Sequence, residues 1–562
     1  MADANEQTSL NLEMRGVSGE LRANVELMLT LYQQRDEARL TKARIKRLYQ
    51  RSFDEIKQAL KPFGFFRPEI LGEIKEVDST VEVSFDIDPG EAIKLTRLNI
   101  NIKGAAVNDT AFIALIDNLP LREKAILDQR AYSETKLKMQ NLAASRGYFN
   151  AHFVEHKILV DLEAFESEII IIFDSGKRYK FGEVSISASM PSVDLINRYI
   201  RFERGDYYSV NALVDLQVAL NDSDYFQSVE ISGLTDSIVG DEVPIKVNLE
   251  PRLKRRYNLG FGYGTDTGAR GRVGLDAPII NDKGHRFNTS FMISELKDTL
   301  TAHYLVPVLD PRTDQLAYTA SYNDEETESS SSESFMLGVG LIHARGSWRE
   351  TISLKYQEER FEVGEDTGQS TLLMPGITWT RIWGKERIYT RKGASLSLDL
   401  RAASQFLLSD VDFVEGKAHA KLIRSFGTSS RFIARGTLGA NFANDFETIP
   451  SSVRFFAGGD NSVRGYKYNS LGPQDAGGTV IGGRAIMVAS VEYEHKLLEK
   501  WGAAIFYDIG NALDFFDEPL KRGAGVGIRW KSPVGPMRLD LAFALSDPGT
   551  PWRIHLNLGP DL

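Results

Sequence analysis

The chain has 562 residues, of which 67 are Lys or Arg and 77 are Asp or Glu, and its formal net charge is −10. This balance argues against a general nucleic-acid binder, which would carry a basic stripe. The chain has no cysteine, which excludes disulfides, thiol nucleophiles and cysteine-ligated metals. Its length is sufficient for several domains.

The hydropathy of the chain does not by itself identify the cellular compartment of the protein. No stretch approaches the roughly 18 consecutive apolar residues that a transmembrane helix requires. The first residues, Met1–Asn5, lack the charged and apolar regions of a signal peptide. The chain is therefore either cytosolic or a secreted protein that has lost its signal peptide, and composition does not separate the two.

The first half contains a helical pattern that ends in an aromatic pair three times. The helices are predicted over Arg44–Leu60, Thr135–Ser145 and Val210–Leu220, and the pairs are Phe65–Phe66, Tyr148–Phe149 and Tyr225–Phe226. Each repeat closes with an alternating strand and reads strand–helix–helix–strand–strand, with helices on one face of a small sheet. We predict three α+β domains, over 1–90, 91–177 and 178–255. Three unrelated α+β modules are the alternative, and the open sheet edges suggest binding of extended chains.

From about Tyr257 the pattern changes to alternation with period two. Met537–Leu545 and Trp552–Leu558 alternate apolar residues with charged or small ones. Apolar-out and polar-in alternation over about ten residues is typical of a transmembrane β-strand. A soluble sandwich alternates as well, with the polar face outside, so strand number and loop asymmetry have to decide.

The connections favour a membrane all-β barrel of about 16 antiparallel strands over 256–562. Short connections are predicted after even-numbered strands, at Asn281–Gly284, Arg345–Ser347, Gly427–Ser430, His495–Lys500 and Ser532–Gly535. Long external loops are predicted after odd-numbered strands, at Asn323–Ser334 and about Asn444–Gly483. With an even number of strands, the last strand ends on the same, periplasmic, side on which the first strand begins. We therefore predict a bacterial outer-membrane location and favour the interpretation of a lost signal peptide.

The long loop carries an arginine among glycines and aromatic residues, in the stretch Arg454–Tyr466. A loop of this length is usually functional or disordered. If Arg464 folds back into the barrel, it needs an anionic partner. Side chains alternate between the two faces of a strand, and this alternation (strand parity) places Glu492 and Asp508 on the inward face. We therefore predict a "loop lock", an ion pair between Arg464 and these two carboxylates. The alternative is that Arg464 is a solvated loop charge.

A weak seam is predicted between the first and last barrel strands. Tyr257–Gly264 is rich in glycine, and Gly559–Pro560 follows the last strand, where proline removes a hydrogen-bond donor. The residues expected along this seam are Tyr257, Leu259, Phe261, Trp552, Ile554, Leu556 and Leu558.

Three motifs resemble signatures of the outer-membrane insertase superfamily, which includes BamA, TamA and two-partner secretion transporters. They are Val463-Arg464-Gly465-Tyr466, Phe506-x-Asp508-x-Gly510, and the stretch from Gly525 to Pro536. The three repeats, the stretch Arg454–Tyr466 and the ending Gly559–Leu562 most resemble the TamA branch. The resemblance implies that the repeats are POTRA domains and that the seam is a lateral gate. It also implies that Val463–Tyr466 belongs to the loop lock.

The same resemblance implies a function in assembling other outer-membrane proteins. The expected clients are β-barrels of the autotransporter type, inserted through the lateral gate into the outer-membrane lipid. The expected partner is a TamB-like, inner-membrane-anchored periplasmic protein bound by the POTRA domains. A pore that secretes a soluble protein partner is the first alternative. A passive porin is the second, although it would not need the repeats.

No catalytic or cofactor site is predicted. His152-x-x-x-His156 matches the spacing of a zinc peptidase motif, but that chemistry requires a helix and the segment reads as a strand. The glycines that follow Gly260 open no helix and precede no phosphate-binding lysine motif. We therefore expect neither an enzyme nor a metal or other cofactor.

Overall fold

The computed structural model describes residues 9–35, 40–77, 80–187, 191–266, 268–384, 389–516, 518–532 and 535–558. The ending Gly559–Leu562, on which part of the seam prediction rests, lies outside these residues. The described chain forms three small sheets with helices, followed by one sheet of 16 strands. The predicted fold class is confirmed. In the part of the chain that is described, no helix is both long and apolar enough to cross a membrane.

The second and third repeats have the predicted order of elements, and the first has one additional short helix. The first comprises β1 (Ser9–Arg15), α1 (Gly19–Met28), α2 (Thr30–Gln33), α3 (Lys42–Leu60), β2 (Glu69–Val77) and β3 (Thr80–Asp88). The second comprises β4 (Lys94–Lys103), α4 (Thr110–Asp117), α5 (Gln129–Ser145), β5 (His152–Asp161) and β6 (Glu166–Asp174). The third comprises β7 (Lys180–Ser187), α6 (Val193–Asn197), α7 (Val210–Asp222), β8 (Phe226–Gly233) and β9 (Glu242–Pro251).

The last strand of each repeat lies at the centre of its sheet, in the orders β1-β3-β2, β4-β6-β5 and β7-β9-β8. The central strand pairs with a neighbouring strand on each side. In the first repeat its alternation of buried and exposed side chains is also the most regular of the three strands. In the first repeat β3 buries the alternate side chains Val81, Val83, Phe85 and Ile87. The helix α3 covers this face with an apolar stripe at helical spacing that includes Ile45.

The barrel strands pair in sequence order, each antiparallel to the next. They are β10 (Arg256–Gly264), β11 (Gly268–Ala277), β12 (Arg286–Ser294), β13 (Lys297–Pro307), β14 (Asp314–Glu326), β15 (Ser330–Arg345), β16 (Trp348–Val363), β17 (Asp366–Trp383), β18 (Lys392–Ala403), β19 (Phe413–Phe426), β20 (Ser430–Ala443), β21 (Ala485–Lys496), β22 (Trp501–Leu513), β23 (Lys521–Ser532), β24 (Gly535–Ala544) and β25 (Trp552–Leu558).

The two faces of the barrel wall differ as the alternation predicts. In β21, Val491 and Tyr493 point outward and are exposed, whereas Ser490, Glu492 and Glu494 point inward and are buried. This is the reverse of a soluble sandwich, whose exposed face is polar. An apolar outer face with a polar interior is the arrangement of a transmembrane barrel.

One predicted external loop is wrong. The acidic, serine-rich Asn323–Ser334 is mostly strand, because β14 and β15 continue in register through it and leave only the turn 327–329. Where a hairpin projects beyond the membrane, its strands pair through their backbones and do not require apolar side chains. The polar composition of this stretch therefore did not indicate a loop. The other predicted long segment corresponds to the connection 444–484 between β20 and β21. Of the predicted short connections, Asn281–Gly284 lies within the longer stretch 278–285.

Candidate functional site

The connection 444–484, here called the internal loop, folds back onto the inward face of the barrel wall. Phe455 and Gly483 close it with two backbone hydrogen bonds of 3.0 and 2.8 Å. Its apolar side chains form a buried cluster with inward-facing residues of β21, β22 and β24. The cluster contains Phe455, Ala457, Val463, Tyr466 and Leu471 of the loop and Ile486, Val488, Ala512 and Ala544 of the wall.

Arg464 of the internal loop binds three carboxylates. Its guanidinium contacts Asp508 through Nε at 2.7 Å and through a terminal nitrogen at 3.0 Å. The other terminal nitrogen lies 2.7 Å from Glu492 and 3.0 Å from Asp540. The guanidinium also stacks 3.4 Å from the centre of the Phe506 ring. The structure therefore brings Arg464 together with Glu492 and Asp508, and the contact is buried rather than solvated.

A second arginine, which belongs to the barrel wall, binds two of these three carboxylates. Arg529 of β23 lies 2.7 Å from Glu492 and 2.5 Å from Asp540. Side chains of this cluster are at most 9% exposed, so each charge must be paired to remain ionised. Sequence reasoning missed Asp540 and Arg529, although parity gave a signal, since Asp540 lies between the outward-facing Leu539 and Leu541.

The residues flanking Arg464 seat the loop against the last strands. Val463 is fully buried, and the Tyr466 hydroxyl donates to the Arg522 carbonyl at 3.3 Å. Gly465 has a φ of 98°, and a β-carbon there would lie 2.9 Å from the backbone of β24. Only glycine satisfies both conditions, because the left-handed conformation and the close approach exclude a side chain.

His555 of β25 joins the internal loop to the last strand. Its Nε2 accepts the Gly465 amide hydrogen at 2.9 Å, so the neutral ring carries its proton on Nδ1 and donates it to Asp460 at 2.5 Å. The Asp460 amide in turn donates to Asp266 in the turn after β10, at 2.5 Å. The internal loop thus contacts both sides of the seam. Sequence reasoning missed this histidine.

Asp266, Asp460 and His555 are close enough to suggest a metal site, with candidate ligand atoms within 4.8 Å of one another. A metal would need a free lone pair on the imidazole. With Nε2 accepting from Gly465 and Nδ1 protonated, the ring has none to offer. The cluster is therefore a hydrogen-bonded contact and does not fit a metal in this state.

The base of the internal loop has a separate anchor at Glu359 of β16. Its buried carboxylate accepts from the Ser451 hydroxyl at 2.9 Å, the Ser452 amide at 3.1 Å and the Ser332 hydroxyl at 2.8 Å. The Ser452 hydroxyl and Gln357 also donate to it. Parity gave no usable signal here, because charged residues occupy both faces of this part of β16.

The seam between β10 and β25 differs from every other strand boundary of the barrel. Fifteen neighbouring pairs share ladders, but no ladder joins β10 to β25 over residues 256–264 and 552–558. Contacts there include a hydrogen bond from the Leu556 amide to the Thr265 hydroxyl at 3.1 Å and one from Arg270 to the Leu558 carbonyl at 3.3 Å.

The predicted seam residues fall into two groups. Five are exposed on the outside of the barrel, while the last two are half-buried. The exposed ones are Tyr257, Leu259, Phe261, Trp552 and Ile554, with Phe261 at 86%, and the half-buried ones are Leu556 and Leu558.

These features define a 16-stranded outer-membrane barrel, preceded by α+β repeats, that holds an arginine-bearing loop inside its wall. Residues 249–561, more than half of the chain, match the Omp85 superfamily domain, and the chain belongs to that superfamily. Residues 11–89 match the family described as POTRA domain TamA domain 1. The protein therefore resides in the bacterial outer membrane with periplasmic POTRA domains.

Two curated relatives are outer membrane protein assembly factors named BamA. The one from Nitratidesulfovibrio vulgaris is 21% identical over 83% of this chain and 61% of its own length. The one from Neorickettsia risticii is 22% identical over 86% of this chain and 68% of its own length. The chain thus spans about two thirds of these relatives or less. These relatives are named as protein assembly factors and not as enzymes.

A solved structure has the same fold. BamA from Haemophilus ducreyi lacking POTRA domains 1–3 superposes with a TM-score of 0.68 at 16% identity, covering 83% of this chain and 99% of that one. The chain therefore shares the fold of that BamA structure.

Proposed function

We propose that this chain inserts β-barrel clients of the autotransporter type into the outer membrane through the seam between β10 and β25. The observation that carries the proposal is the seam itself, where backbone groups lack the ladder present at every other strand boundary. Unpaired backbone groups facing lipid are costly, so a client strand that pairs with them is strongly favoured. The client's own folding then supplies the free energy, and no nucleotide site is required.

The internal loop supports the same proposal. Through Arg464 it is fixed to β21, β22 and β24, and through His555 and Asp266 it reaches both strands of the seam. In this role, the loop lock of Val463, Arg464, Gly465, Tyr466, Glu492 and Asp508 keeps the loop seated while the seam opens.

A periplasmic partner belongs to the proposal as well. We propose that the POTRA domains, at 1–90, 91–177 and 178–255, bind a TamB-like protein anchored in the inner membrane. Support comes from the match of residues 11–89 to a TamA POTRA family.

A disulfide across the seam tests the route. Because the chain has no cysteine, Thr265→Cys with Leu556→Cys creates a single possible bridge, at a position where the two residues already touch. A matched control, Val339→Cys with Leu354→Cys, places the bridge across the intact β15–β16 ladder, away from the seam. We expect oxidation of the seam variant to block assembly of a β-barrel client and reduction to restore it, while the control assembles clients in both states.

The opposite result would favour a different function. If the oxidised seam variant assembles clients as well as the control, the seam is not the route. Secretion of a soluble partner through the lumen would then be favoured. That path would have to pass the internal loop, beside which a cavity of about 670 Å³ remains, lined by residues such as Lys355, Asp399 and Phe456.

A further inference from the structure

A cationic surface lies on the outside of the barrel at the ends of β17, β18 and β19. This surface, here called the rim patch, consists of Arg381, Trp383, Lys392, Leu422 and Arg424. Lys392 pairs in register with Arg424, and two residues further along Ala394 pairs with Leu422. Register partners share a face, and Leu422 is half exposed on the outside of the wall. The patch follows an even-numbered barrel strand, so it lies at the periplasmic end.

Within the described part of the chain, the cations of the rim patch have no anionic partner. Lys392 and Arg424 are directly opposite each other on neighbouring strands, an arrangement in which like charges repel. Across the described residues, no carboxylate lies within 4.0 Å of Lys392, Arg424 or Arg381. Arg391, next in sequence to Lys392, lines the same cavity, and among the described residues its side chain donates to the Gly427 carbonyl at 3.1 Å. A bound anion would relieve this repulsion.

The surroundings of these cations are amphipathic. The Arg381 guanidinium lies 4.3 Å from the Trp383 ring and 5.5 Å from the Trp348 ring. Tryptophan is enriched at the interface between lipid and water, because its ring has a large apolar surface and one polar N–H group. Beside it, a cavity of about 610 Å³ is lined by Trp383, Lys392, Leu422 and Arg424. It offers apolar surface toward the membrane and charge toward the periplasm.

We propose that the rim patch binds an anionic glycerophospholipid of the periplasmic leaflet. Its headgroup phosphate would lie between Lys392 and Arg424, and its glycerol and first acyl carbons would cover Leu422 and Trp383. A zwitterionic headgroup is disfavoured, because its ammonium or choline group would meet further cations. Free phosphate shares the anionic chemistry but leaves the apolar part of the cavity uncovered. This inference does not depend on the route that clients take.

Lipid binding to the full chain in dodecyl maltoside tests the proposal. The probes are phosphatidylglycerol, phosphatidylcholine and inorganic phosphate, and binding is followed by native mass spectrometry with competition. We expect the double variant Lys392→Ala/Arg424→Ala to bind phosphatidylglycerol about thirtyfold more weakly, as expected for losing two basic residues near an anionic lipid. The control Arg360→Ala/Lys467→Ala removes the same charge elsewhere and should bind as the unchanged chain does.

Charge-preserving variants separate binding from folding. The double variant Lys392→Arg/Arg424→Lys should restore phosphatidylglycerol binding, and phosphatidylcholine and inorganic phosphate should not compete. Equal phosphatidylglycerol binding by the rim and control double-alanine variants would overturn the proposal. So would displacement of the lipid by inorganic phosphate at equal concentration, which would indicate a free-anion site.

Discussion

At the scale of single residues, Arg464 is the side chain whose removal should matter most inside the barrel. Arg464→Ala leaves Asp508, Glu492 and Asp540 with one cation fewer in a buried setting. Breaking a buried ion pair costs about 3–5 kcal/mol, and less where water reaches the site. We expect a lower denaturation midpoint and impaired client assembly. Arg464→Lys should fall between, since it keeps the charge but loses the forked contacts.

Arg360→Ala is the matched control for Arg464, because the Arg360 side chain is 73% exposed. It should leave both the denaturation midpoint and client assembly unchanged. If the two alanine variants behave alike, the loop lock contributes nothing and the proposal for it fails.

Asp109 in the second repeat is also a buried charge with an oppositely charged partner, as Arg464 is in the barrel. Its carboxylate caps α4 by accepting from the Ala111 amide at 3.0 Å, and it also accepts from Arg146 at 2.8 Å and from Tyr148 at 2.9 Å. Burial alone would raise the pKa of Asp109, but these hydrogen bonds and the charge of Arg146 hold its pKa below the usual range. Burial and the hydrogen bond to Asp109 also raise the pKa of Tyr148 to about 12.

A lowered pKa makes the stability of this repeat depend on pH. The contribution of Asp109 is complete above its unfolded pKa of about 3.9 and is lost as the pH falls through the lower folded value. Asp109→Asn removes it at neutral pH, at about 1.5–3 kcal/mol for hydrogen bonds to a charged group. We expect amide protection in α4 to drop below about pH 4 in the natural chain and to be low and flat in the variant. Asp117→Asn, an exposed position in the same helix, should keep the natural profile.

At the scale of elements, the internal loop is held at two places rather than one. Arg464 fixes its middle, and Glu359 fixes its base through Ser451 and Ser452. Glu359→Gln replaces one accepting oxygen with a donor, which leaves buried hydroxyl and amide donors without a partner, at about 1–3 kcal/mol.

Hydrogen exchange at the Ser452 amide measures this second anchor directly, because that amide donates to Glu359. We expect faster exchange in Glu359→Gln and no change in Glu358→Gln, whose side chain lies on the outward face. Equal exchange in both variants would mean that the base of the loop is held by its apolar contacts alone.

At the scale of the whole molecule, pairing around the barrel is uneven. β16 and β17 have 16 and 18 residues, whereas β10 and β25 have 9 and 7 and share no ladder where the structure describes them. We expect amides of β10 and β25 that face the seam to exchange faster than amides of β15 and β16 in the same sample. Uniform protection would mean that the barrel is closed in solution and would remove the physical basis of the seam route.

The sequence by itself determined the classes of element and the face on which each side chain lies. Alternation with period two is a local property, so it placed Glu492 and Asp508 inward and Val491 outward before any strand was located in space. The helices of the repeats were equally predictable, since their apolar spacing and terminal aromatic pairs lie within short windows.

Only the tertiary structure decided which inward groups meet. Asp540 contacts Arg464 across 76 residues of sequence and His555 contacts Gly465 across 90, and Arg529 joins them through Asp540. The curvature of the wall and the path of the internal loop bring these groups together. The polar stretch Asn323–Ser334 proved to be strand for a related reason, since pairing depends on a neighbouring backbone and not on side-chain polarity. Local patterns determine which side chains each strand directs inward. The curvature of the barrel wall and the path of the internal loop determine which of these side chains meet.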